Sequence, residues 1–143
     1  MADEKLRRAS IRTLAWLGDA HYERAVRWAL ARRGDYAVTR LDDARARVVR
    51  AEAQASLLEE ISPALNDAER AVVRRASNAQ VSGRGRAQRD TRAYRAATGL
   101  EALVGWWACA DADPQDRFDE VLRPSLERAV DAALAASARP RRG

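Results

Sequence analysis

The stretch Tyr94 to Ala110, YRAATGLEALVGWWACA, constrains the fold more than any other part of the chain. From Ala96 to Ala110 its only charged residue is Glu101, set among Leu100, Leu103, Val104, Trp106 and Trp107. A helix that is apolar all round belongs in a core. A carboxylate buried there must shift its pKa, find a partner or bind a metal, because an unpaired buried charge is strongly unfavourable. Packing alone gives no reason for Glu101. A second carboxylate in a similarly apolar setting is Asp19, in LAWLGDAHYE from Leu14 to Glu23. Gly18 and Gly105 would each let two helix backbones approach closely. The expectation is that these two helices cross and bring Asp19 and Glu101 to one site.

The rest of the chain reads as further helices. Ser10 is a candidate N-cap and Gly34 a stop, and between them Ile11, Leu14, Leu17, Ala25, Trp28 and Ala29 form an apolar stripe. A second helix is predicted from about Leu41 to Ile61, with Ala44, Val48, Ala51, Ala55 and Leu58 on one face, ended by Ser62 and Pro63. Asn66 or Asp67 can cap a third, with Glu69 in its first turn, running to about Ala79. Gln80 to Asp90, QVSGRGRAQRD, has no hydrophobic period and reads as a loop. After the central helix, Asp113 is an N-cap and Pro114 the first residue of a last amphipathic helix through Phe118, Val121, Leu122, Leu126, Ala129, Val130, Ala133 and Leu134. No strand alternation or repeat appears. The predicted fold class is all-α with about five main helices. Residues 1–136 form a single domain, and residues 137–143 are expected to be a disordered basic tail.

At 143 residues the chain is large enough for one real core. Its 47% hydrophobic and 33% charged composition argues against long disorder. No apolar run approaches the roughly 18 residues of a membrane span, and the N-terminus MADEKLRRAS lacks a signal-peptide core, so a cytoplasmic location is expected. The lone Cys109 has no thiol partner for a disulfide or zinc site and reads as a small core residue. The net charge is +5. It is concentrated between Arg70 and Leu100, which hold eight Arg against one acid, Asp90. This segment suggests an acidic partner.

Two carboxylates about 4 Å apart repel by roughly 4 kcal/mol at an effective dielectric near 20, unless something intervenes. Each could be paired with an Arg and merely fix helix register. Alternatively a hard divalent cation relieves the repulsion, and oxygen ligands suit Mg²⁺ or Mn²⁺. A metal so held can activate water and clamp a phosphate ester. Acidic metal ligands beside a basic surface are the layout of a nuclease, in which Arg positions phosphates.

These residues resemble the ribonuclease III family. LAWLGDAHYE is similar to that family's signature, particularly the LAYLGDAVYE form of its Mini-ribonuclease III branch. Ala93 to Trp107, AYRAATGLEALVGWW, resembles the second hallmark, TYRxATGFEALIGYL, and Val72 to Gln80, VVRRASNAQ, resembles VxKRGRNAK. The resemblance runs from about residue 10 to 125. It implies an α-helical endoribonuclease domain, a homodimer, a divalent metal, and hydrolysis of double-stranded RNA to 5′-phosphate and 3′-hydroxyl ends. The full-length enzymes carry a double-stranded-RNA-binding domain after the catalytic one, for which this chain leaves no room; that is the mark of the Mini branch. Its role is to trim the ends of large-subunit (23S) ribosomal RNA precursors, which adds a ribosomal protein as a further expected partner.

By position, the family's catalytic, metal-holding acids fall on Asp19 and Glu101. Two further acids of the full-length enzymes fall on Ala15 and Thr98, as is usual in the Mini branch. The RNA-binding residues implied are Arg74, Arg75 and Asn78, joined by Arg84, Arg86 and Arg89 of the next loop. Ala76, Ser77 and Gln80 replace the family's Gly, Arg and Lys, removing two positive charges from the RNA-facing segment. That change favours the rival reading, a catalytically idle RNA-binding or ribosome-associated module; retention of both acids opposes it. Glu23 is expected in a surface or dimer-edge ion pair, His21 at the core margin, and one of Trp106 and Trp107 in the core, with the other a candidate for a dimer interface or buried as well.

Overall fold

The structure is a computed structural model and describes residues 4–79, 91–109 and 114–138. These are helical throughout apart from short turns, with no strand among the described residues, so the all-α expectation holds. The helices are α1 (Glu4–Arg7), α2 (Ile11–Arg33), α3 (Val38–Val49), α4 (Ala51–Ile61), α5 (Asp67–Asn78), α6 (Thr91–Ala108), α7 (Pro114–Arg117) and α8 (Arg123–Ser137). A 3₁₀ turn, Ser62–Ala64, follows α4, and a π-helical stretch, Phe118–Leu122, joins α7 to α8.

The apolar α6 runs through the centre, packed against α2, α4 and α5. Its Leu100, Leu103, Val104 and Trp107 are buried with Tyr22, Val26, Leu30, Leu57, Phe118, Leu122 and Leu126 in one core. Three local signals act as the sequence implies. Ser10 accepts the Thr13 N–H at 3.2 Å. Asn66 and Glu69 form a reciprocal capping box. Cys109 is buried.

The single helix predicted over 41–61 is two helices, broken at Arg50, whose backbone is extended (φ −66°, ψ 156°). Carbonyls near the break are taken by buried side chains. The Tyr22 hydroxyl donates to Val48 O at 2.9 Å, and Gln54 Nε2 donates to Val49 O at 2.8 Å. Tertiary hydrogen bonds thus satisfy part of what an unbroken helix would have satisfied locally. The π-helical stretch has a clearer local cause, because Pro124 lacks an N–H and its ring would crowd the carbonyl four residues earlier in a regular helix. Trp28, placed by its spacing on the apolar stripe of α2, is 49% exposed instead. The guanidinium groups of Arg24 and Arg32 lie 5.5 and 5.3 Å from its ring centroid, covering its faces with cation–π contacts rather than core.

The last helix includes Ser137, one residue past the domain boundary drawn from sequence, and residues 139–143 of the tail lie outside the described residues. No described helix is long and apolar enough to cross a membrane.

Candidate active site

Two glycines bring α2 and α6 together. A Cβ on Gly18 would stand 1.6 Å from the Glu101 carbonyl oxygen, and one on Gly105 would stand 2.0 Å from that of Leu14. Backbone therefore rests on backbone, and the chain atoms of Glu101 lie against the residue that precedes Asp19. The carboxylates meet because of this contact. Asp19 is exposed and Glu101 half-buried, and both line one cavity.

Burial pushes the Glu101 carboxyl up to about 8, and the neighbouring Asp19 carboxyl adds to the rise. The Gln54 amide acts in the opposite direction. Burial and then the nearby Glu101 also raise the pKa of the Tyr22 hydroxyl, which donates to the Val48 carbonyl.

The pair opens into a cavity of about 510 Å³ walled by Trp16, Leu17 and Ala20 of α2, Arg45 and Val49 of α3, and Gln54 of α4. Glu23, one turn after Asp19, lines the same cavity but is committed to ion pairs with Arg45 at 2.7 Å and Arg27 at 3.5 Å. Arg45 in turn binds Asp42 at 2.8 Å. The positions of the two further acids hold buried Ala15 and Thr98, and the Thr98 hydroxyl donates to the Tyr94 carbonyl at 3.0 Å. Among the described residues no group of three or more His, Cys, Asp or Glu forms a metal cluster. The donor set at the cavity is therefore two carboxylates and a carboxamide, all-oxygen chemistry that suits a hard divalent cation. A carboxyl pair whose half-buried member has its pKa raised by its neighbour fits such a cation.

Of the basic residues singled out from sequence, Arg74, Arg75 and Asn78 lie exposed on α5. The opposite face of α5 buries Val72 and Ala76, and Val73 and Ser77 pack against Gly99 of α6. Arg84, Arg86 and Arg89 lie outside the described residues. His21 meets Phe118 edge-on, with ring centroids 5.8 Å apart, at the core margin. Trp107 fills the core, whereas Trp106 is half-buried under the Arg7 guanidinium, 4.1 Å from its ring centroid. Trp16 is more exposed than either, 74% at the cavity wall.

Sequence reading missed Gln54 altogether and, for Glu69, saw the place in the first turn of its helix but not the burial or the partners. Glu69, 1% exposed, receives Arg117 through Nε and Nη2, both at 2.8 Å, and Trp107 Nε1 at 2.7 Å. Burial raises its pKa, but these donors and the Asn66 N–H outweigh that and hold it below the ordinary range. Gln54 is 3% exposed at the cavity. Its signal was a polar residue on an apolar face, three after Ala51 and four before Leu58.

Residues 12–111 match the family model described as the ribonuclease III domain. The chain is 43% identical to the Mini-ribonuclease 3 of Symbiobacterium thermophilum over 115 residues, 80% of this chain and 86% of that one. It is 45% identical to the Mini-ribonuclease 3 of Desulfitobacterium hafniense over 95 residues, 66% of this chain and 59% of that one. A crystal structure of a Fusobacterium nucleatum protein superposes with a TM-score of 0.63 over 94% of this chain and 98% of that one, at 22% identity, a likeness of fold.

Proposed function

The chain belongs to the ribonuclease III family, and from that premise we propose that it is an endoribonuclease of the Mini-ribonuclease 3 kind, cutting double-stranded RNA with Mg²⁺ or Mn²⁺ held by Asp19 and Glu101. The observation that carries this reading is the pair of carboxyls facing one open cavity, with Glu101 pushed up to about 8 by burial and by Asp19. A divalent cation there would displace the proton that such a raised carboxyl holds. When bound, the cation supplies an activated water and offsets charge building on the phosphate.

The protein's own groups do the positioning. Asp19 and Glu101 present oxygen donors from two helices locked at Gly18 and Gly105, so their separation is set by backbone contact rather than by flexible side chains. The Glu23–Arg45 pair leaves the cavity wall close to charge-neutral, so the uncompensated negative charge is that of the catalytic pair. Arg74, Arg75 and Asn78 would hold the RNA backbone, together with Arg84, Arg86 and Arg89. Recognition would rest on duplex shape, since the deep groove of A-form RNA hides base edges.

The finer reading is that a homodimer, working in the cytoplasm as a single domain over residues 1–136, trims the ends of 23S ribosomal RNA precursors with a ribosomal protein as partner. It rests on the motif resemblance. Cleavage of a labelled RNA duplex tests the core proposal. Cutting is expected in Mg²⁺, absent in EDTA, and abolished in Asp19→Asn and Glu101→Gln proteins that still bind the duplex. Cutting that survives both substitutions would remove the site, and binding without cutting by the unaltered protein would make it an idle RNA-binding module.

A further inference from the structure

Two acids are a sparse set for a cation that takes six or more oxygens. The structure offers one more protein oxygen beside them, and its state is unusual. Gln54 is 3% exposed, lines the cavity with Asp19 and Glu101, and is fixed at its nitrogen, which donates to the Val49 carbonyl at 2.8 Å. The same amide favours the charged form of Glu101. Its oxygen, Oε1, is buried and accepts no hydrogen bond. Leaving such an acceptor without a partner is unfavourable, because it has given up water for nothing. Buried amides ordinarily have their needs met, and an orphaned one calls for a missing ligand, water or ion.

The orientation of the amide is set by its surroundings. Turning it over would place Oε1 against the Val49 carbonyl, acceptor on acceptor, so the nitrogen belongs where it is. The break between α3 and α4 is what frees Val49 O to anchor it. The carboxamide is thus held by its nitrogen, and its buried oxygen is left without a partner on a residue that lines the acidic cavity.

We propose that Gln54 is the third cation-holding side chain of this site, supplying its carboxamide oxygen beside the carboxylates of Asp19 and Glu101. Carboxamide oxygens are ordinary ligands for hard divalent cations and add no charge to repel the acids. The proposal rests on the reading of Asp19 and Glu101 as the metal site, and it accounts for an orphaned atom that the reading leaves unexplained.

The test is Mn²⁺ binding to the RNA-free protein, followed by titration calorimetry and by the loss of the free-ion electron paramagnetic resonance signal. Gln54→Met keeps the length and removes the oxygen; it is expected to weaken Mn²⁺ binding about tenfold, within the range seen when groups supporting a metal site are lost. Gln54→Glu keeps an oxygen and is expected to bind Mn²⁺ at least as tightly as the unaltered protein. Circular dichroism establishes that each variant is folded, and if Gln54→Met is not, Gln54→Asn, which withdraws the oxygen by one methylene, takes its place. Unchanged Mn²⁺ affinity in the folded Met or Asn variant would overturn the proposal. So would equal weakening in the Met and Glu variants, which would assign the effect to the amide N–H on Glu101. Asp19→Asn and Glu101→Gln are measured in parallel: if they too bind Mn²⁺ normally, the underlying two-carboxylate reading fails.

Discussion

A carboxyl whose pKa stands at about 8 in the folded chain, against an ordinary value of 4.5, takes up a proton on folding throughout that interval. The folded state then binds more protons than the unfolded one, so stability falls as pH rises. In the absence of divalent cation, thermal stability followed by circular dichroism should therefore decline between about pH 4.5 and about pH 8 because of Glu101. Glu101→Gln should flatten that decline and raise the melting temperature at pH 8. A slope that persists unchanged in the variant would place its origin elsewhere. Glu69 has the opposite sign: its pKa is held below 4.5, so its contribution is present above that value and lost as pH falls through the depressed pKa. The two glutamates are both withdrawn from water, and what separates them is the partner. Arg117 faces Glu69, whereas Asp19 faces Glu101. A structural acid has been given a cation by the protein; the site acid has been given another acid.

The crossing of α2 and α6 sets the position of both site acids. Gly18→Ala would drive a methyl to within 1.6 Å of the Glu101 carbonyl oxygen, with backbone on both sides and no flexible end to give way. The helices must then move apart by more than an ångström. Overpacking of this kind costs about 1–3 kcal/mol, but activity should suffer more, because a displacement near 1 Å at a reacting centre can cost about 100-fold. The expected result is a folded Gly18→Ala protein with a modestly lowered melting temperature and at least about a 100-fold loss of duplex cleavage. Cleavage near the unaltered level would show that the two helices can separate without disturbing the site. This crossing was legible in the sequence because its parts are local: a glycine beside each acid, each within an apolar helix. The caps at Ser10 and Asn66 were legible for the same reason. The break at Arg50 was not, since no Pro or Gly marks it and its carbonyls are satisfied from afar by Tyr22 and through Gln54. Nor was the Glu69–Arg117 pair, whose members stand 48 residues apart. Helical spacing put Trp28 on the apolar stripe, but it could not tell core contact from stacking against Arg24 and Arg32.

At the scale of the molecule, one chain presents one acid pair, while a duplex has two strands. In the proposed homodimer a second copy of the chain would supply the second site, and one exposed side chain marks where it would sit. Trp16 is 74% exposed, lies three residues before Asp19, and forms part of the wall of the acidic cavity. A large aromatic left in water beside a site is a candidate contact, since burying such a side chain is worth about 1.5–3 kcal/mol, and across a two-fold axis each copy is buried by the other. Of the other candidate contact, the Trp106–Trp107 pair, Trp107 is in the core and Trp106 is half-buried under Arg7. The prediction is that the unaltered protein sediments as a dimer at micromolar concentration and that Trp16→Glu sediments as a monomer with its helical content intact. Because Asp19 and Glu101 come from one chain, the variant should still bind Mn²⁺, but its cleavage of a duplex labelled on both strands should fall sharply and yield nicks rather than paired cuts. Sedimentation of the variant as a dimer would exclude this face, whereas a monomeric variant that still makes paired cuts would mean that one site can serve both strands in turn.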